Sequence, residues 1–130
     1  MYSKSIQCAS LIAVSMLLCA LMPANASWID GKVAQLQALD KITARISTLS
    51  APIGKAIKFG TLEIIIRRCA FRPPEEPPEN AAFLEITDHG NDETVPIRQV
   101  FSGWMFSSSP AVSAVEHPVY DVTLLDCVIN

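Results

Sequence analysis

The chain has no run of basic residues. Ten Lys and Arg are scattered among 13 Asp and Glu. Phosphate backbones are held by clustered Lys and Arg, so this is a poor nucleic-acid binder. Histidine is scarce, with only His89 and His117, and there is no Cys-x-x-Cys pair. A zinc motif needs more, and the oxygen-rich turn Asp88-His89-Gly90-Asn91-Asp92 lacks the full ligand set of a calcium loop. No metal or cofactor is expected. A Gly-x-Ser-x-Gly elbow is missing too, as is any internal repeat. The longest apolar stretch is the 14 residues from Cys8 to Leu21. Crossing a bilayer core takes about 20, so no membrane span is expected in the mature protein.

That apolar stretch has another use. Lys4 precedes it, Pro23 breaks it, and Ala24-Asn25-Ala26 supplies the small residues that a signal peptidase reads. The expectation is a signal peptide over residues 1–26, cleaved before Ser27, and a periplasmic mature protein. Lys4 leaves with it, so nine basic residues face 13 acidic ones, a formal charge of −4. Cys8 and Cys19 leave as well. Cys69 and Cys127 remain, and in an oxidising compartment such a pair reads as a disulfide. Closing a loop of that length contributes on the order of 4 kcal/mol.

Periodicity sets the fold. Apolar residues at 29, 33, 36 and 39 have helical spacing, so residues 27–39 read as a short helix or a tether. Ile42, Ala44 and Ile46 alternate with Lys41, Thr43 and Arg45, which predicts a strand over 41–49. Ile64-Ile65-Ile66 is apolar on both faces, as in a covered central strand. Residues 72–80, with four prolines, read as a stiff exposed loop. Strands follow at 81–87 and 95–101, and the last at 120–128. In that last strand Asp126 falls on the otherwise apolar side. Residues 40–130 are therefore expected to form one all-β domain. It is a small antiparallel β-sandwich or barrel of six to seven short strands, with one long crossover loop.

The stretch Phe101–Asp121 concentrates the residues that are hardest to place. Gly103 allows a turn before Trp104, Met105 and Phe106. His117 and Tyr120 follow beyond a serine run. This stretch is either buried core or a binding rim, and the expectation favoured is Trp104 anchoring the core while His117 orders the loop ahead of Tyr120. One helical turn is expected over 113–116. His117 with Glu116 or Asp121 and a serine such as Ser109 supplies the residue types of a small hydrolase, without the motif that would mark one. A barrel holding an apolar ligand is a third reading.

The strings LDKITAR (39–45), FGTLEI (59–64), RPPEEPPENAAFLEI (72–86), FSGWMFSSSP (101–110) and EHPVYDV (116–122) resemble domain of unknown function family 2155. These are small exported proteins of Gram-negative bacteria. The resemblance covers about residues 39–127, places Cys69 and Cys127 at the family's two cysteines, and departs at Ser107 and Thr123. It implies a periplasmic location and no chemistry. The functional expectation is a non-catalytic periplasmic module that binds a protein or a cell-envelope component. The alternative is the hydrolase.

Overall fold

The computed structural model describes residues 27–130. The expected signal peptide, residues 1–26, lies outside the described residues. Eight strands run in chain order: β1 (Ile29–Asp30), β2 (Val33–Asp40), β3 (Arg45–Pro52), β4 (Ile57–Phe59), β5 (Leu62–Phe71), β6 (Asn80–Asp88), β7 (Arg98–Phe106) and β8 (Tyr120–Val128). They form two antiparallel sheets. One is ordered β1-β5-β6-β7, with β4 also on β5, and the other is β3-β2-β8. Their inner faces meet in a single core. The fold is the all-β sandwich expected, and it is not a closed barrel.

The core is built by alternation. Ala34, Leu36 and Ala38 of β2, Ile64 and Ile66 of β5, Leu84 and Ile86 of β6, and Val122 of β8 all point inward and are fully buried. Burying each large aliphatic side chain is worth about 1.5–3 kcal/mol. β2 corrects the expected helix or tether at 27–39. The inward residues of β2 are mostly alanines, and alternation of alanine with Gln35 and Gln37 gives a faint signal beside the louder spacing of Val33, Leu36 and Leu39. The strand expected over 41–49 begins later, at Arg45. Asp40 Oδ1 accepts the Ile42 and Thr43 amides at 2.9 and 3.2 Å, which closes a turn and leaves Ile42 exposed.

Two bulges set the geometry around the disulfide. In β5 the pairing runs Ile66 with Leu84 and then Arg68 with Phe83, so Arg67 is an extra residue. In β8 Leu36 pairs with Leu124 and Gln35 with Asp126, so Leu125 is extra. A bulge reverses the alternation beyond it. Cys69 and Cys127 thereby turn inward and bond, with Cα atoms 5.8 Å apart. Asp126, which simple alternation would bury, is exposed. β5 is central, but only one face is sealed: Ile64 and Ile66 are buried while Ile65 is partly open.

β7 departs most from expectation. It starts at Arg98 rather than 95, and it continues through Trp104 to Phe106. Gly103 makes no turn; it lies mid-strand without a positive φ. Met105 is the inward residue, 3% exposed, and Trp104 faces out at 40%. The expected core anchor is therefore a surface residue. The crossover from β7 to β8 carries a 3₁₀ turn over Pro110–Ser113, ahead of the turn expected at 113–116.

Candidate functional site

His117 is buried in the crossover, and the expected partners are not the ones it has. Its Nε2 lies 2.8 Å from Asp88 Oδ2 at the end of β6, so the ring donates there. Its Nδ1 accepts the amides of Val119 and Tyr120 at 3.0 and 3.1 Å. Lys41 Nζ donates to its carbonyl oxygen at 2.9 Å. Burial alone would raise the Asp88 pKa, but hydrogen bonds from His117, Thr61 and the Gly90 amide outweigh it and hold the group at about 2. Tyr120 packs against the imidazole at 5.1 Å and against Phe59 at 5.6 Å. Gly60, at φ 57°, leaves room for the phenol where a Cβ would collide with it.

The serines are held elsewhere. The Glu79 carboxylate accepts Ser107 Oγ, the Ser108 amide, Ser108 Oγ and the Asn80 amide. Asn80 donates Nδ2 to Ser107 Oγ, and its Oδ1 accepts the Cys127 amide, which ties β6 to β8. Glu79 titrates low: burial opposes ionisation, and the Ser108, Asn80 and Ser107 donors overcome it. Ser109 is exposed at the start of the 3₁₀ turn with no side-chain cap bond. Glu116 is exposed, and Asp121 lines a hollow on the other sheet with Gln37 and Leu39. Both ring nitrogens of His117 are thus engaged, and neither serves a serine. This corrects the grouping of His117 with Glu116, Asp121 and Ser109.

The outer face of the larger sheet is different. There Trp28, Arg68, Ala70, Ala81, Trp104 and Phe106 enclose a cleft of about 260 Å³. The Arg67 bulge makes it possible. By turning Cys69 inward, it sends Arg68 and Ala70 outward. Ala70 pairs with Ala81, and Ala81 with Phe106, so two small side chains form a floor beneath large neighbours. Phe83 and Trp104 are a direct cross-strand pair, edge to face at 5.6 Å. Such a contact adds about 0.5–1.5 kcal/mol and fixes the indole. On the opposite wall the Arg72 guanidinium lies over the Trp28 ring at 4.0 Å and reaches Glu76 at 3.4 Å.

Trp104 and Phe106, named from sequence, belong to this cleft. Met105 lies behind them in the core, Gly103 is on its inner side, and His117 and Tyr120 serve the loop. Sequence reasoning missed Trp28, Arg68 and the alanine floor. The one available signal was that Trp28 is, with Trp104, one of only two tryptophans in the sequence. A larger hollow of about 390 Å³ lies along loop 89–97, but its walls are exposed turn residues. His89 there faces Glu63 at 3.5 Å. Among the described residues, no three His, Cys, Asp or Glu side chains converge to hold a metal ion. No helix among them is long and apolar enough to cross a membrane.

Residues 34–127 match the family described as "Uncharacterized protein conserved in bacteria (DUF2155)". The chain is 32% identical over 101 residues to "Uncharacterized protein RP359" of Rickettsia prowazekii (strain Madrid E), an alignment covering 78% of this chain and 62% of that protein. The chain thus spans less than two thirds of the relative's length. No solved structure matches it.

Proposed function

The chain belongs to the DUF2155 family of uncharacterised bacterial proteins, and from that premise we propose that it is a non-catalytic periplasmic module that binds a protein or envelope component through its aromatic cleft. One observation carries the reading. Both tryptophans of the chain meet Phe106 and Arg68 over a floor of alanines on the outer face of the larger sheet. Large aromatics are normally drawn into the core, and a cluster held at the surface by its own cross-strand stacking marks an interaction site. The apolar run with its Ala24-Asn25-Ala26 motif and the Cys69–Cys127 pair support export. The hydrolase alternative has no such support, because Asp88 and two backbone amides take up the imidazole.

The test is a photo-crosslinking side chain placed at position 104 in cells that export the protein, with position 48 on the other sheet as control. An adduct formed at 104 and not at 48 is the expected result. Equal adducts at both positions, or none at 104 in a folded exported protein, overturn the reading.

A further inference from the structure

We propose that the cleft receives one large apolar side chain from an acidic segment of a partner protein, whose carboxylates pair with the arginines at its rim. This rests on the binding-module reading and names the chemistry of the ligand. Size comes first. At about 260 Å³ the cleft is smaller than the roughly 300–1,000 Å³ pockets that take whole drug-sized molecules. Its aromatic walls and flat floor suit a single inserted side chain. Trp and Arg are also the residues that dominate protein–protein binding energy when they surround such an anchor.

Charge decides the flanks. The mature sequence is net acidic, yet three of the five arginines, Arg67, Arg68 and Arg72, lie within six positions of the chain; Arg68 lines the cleft and Arg72 lies over the Trp28 ring at its wall. Each has an acidic neighbour in the free protein. Arg67 meets Glu85 at 3.0 Å, Arg68 meets Asp30 at 3.3 Å, and Arg72 meets Glu76 at 3.4 Å. The Arg68–Asp30 pair is the loosest. Its side chains are 60% and 74% exposed, and pairs of that kind contribute little. Arg68 is therefore free to exchange Asp30 for an incoming carboxylate, which its planar guanidinium matches with two parallel hydrogen bonds. An anionic membrane fits less well. The site is a concave cleft, which a projecting side chain enters and a flat bilayer surface does not.

Trp28 and Trp104 are the only tryptophans, and both line the cleft, so tryptophan emission, excited selectively over Tyr120, reports from this site. The mature protein is titrated with a nine-residue peptide carrying one Phe between pairs of Glu, then with versions having Lys for Glu or Ala for Phe, and with phosphatidylcholine–phosphatidylglycerol vesicles. The Glu–Phe peptide is expected to change the emission saturably. Both altered peptides should bind at least about tenfold more weakly, or about 1.4 kcal/mol. Arg68→Glu should reverse the preference towards the Lys peptide, and Asp30→Asn should tighten the Glu peptide roughly threefold by removing the internal competitor. Equal binding of the Glu and Lys peptides overturns the inference, as does no saturation by any peptide, or an emission change with vesicles alone. A lipid or glycan adduct at position 104 would also remove it, while leaving the binding-module reading intact.

Discussion

Arg67 and Leu125 hold equivalent positions on different sheets: each is the extra residue of a bulge, and each stands two places ahead of a bridged cysteine. Without the bulges, alternation from Ile66 and Leu124 would turn Arg68 and Asp126 into the core and both cysteines away from it. The same reversal that permits the disulfide sends Arg68 and Ala70 to the outer face, where they form part of the cleft. One local device thus serves both stability and the candidate site.

Deleting Leu125 tests whether it is the surplus residue. The deletion makes the ladder regular from Leu124 onward, so Asp126 stays outward opposite Gln35 and Cys127 inward opposite Ala34. The disulfide is expected to persist, with no alkylatable thiol, and the loss of the bulge should cost about 1 kcal/mol. Mass analysis after alkylation, together with a urea titration, checks both. Free thiols and a loss of the roughly 2–5 kcal/mol of a missing native disulfide would refute the account.

Trp104 and Met105 should reverse their expected ranks. Trp104 is 40% exposed and Met105 only 3%. Met105→Ala is expected to cost about 2–5 kcal/mol, the usual range for a truncated buried side chain. Trp104→Ala loses its stacking on Phe83 and some partial burial, about 1–2 kcal/mol. Urea titrations of both variants decide it. A larger loss for Trp104→Ala would return Trp104 to the core.

Much of this was legible in the sequence. The two cysteines, β5, β6 and β8 stood out because they combine branched residues with clear turns. Alternation also separated Trp104 and Phe106 from Met105. It could not say which side faces the core, since that depends on how β7 pairs with β6, and hydrophobicity pointed towards the larger residues. Bulges are invisible to periodicity, although Asp126 on an apolar face was a trace of one. The alanines of β2 were too small to outweigh a helical spacing. Asp88 and His117 are 29 positions apart, and only the folded sheets bring them together.

Export has its own measurement. If residues 1–26 are a cleaved signal, intact-mass analysis of the envelope fraction should give a chain starting at Ser27. Mass equal to the uncleaved sequence, or a diacylated Cys19, would remove the periplasmic proposal in its present form.

Acid should unlock the crossover through Asp88. Its pKa falls from 3.8 to about 2 on folding. A group whose folded pKa is depressed contributes stability that is complete above its unfolded value and is lost as pH falls through the folded one. The window is therefore about pH 4 down to 2, and the shift corresponds to about 2 kcal/mol. Asp88→Asn removes the titrating group, so its stability should fall less steeply with acid across that window, starting from a lower value at pH 7. His117→Ala should cost about 1–3 kcal/mol at pH 7, since it also leaves the Val119 and Tyr120 amides without their acceptor. Thermal melts of the three proteins from pH 2 to 7 provide the comparison. Parallel acid limbs for the parent and Asp88→Asn would show that the Asp88–His117 contact does not govern the acid response of the fold.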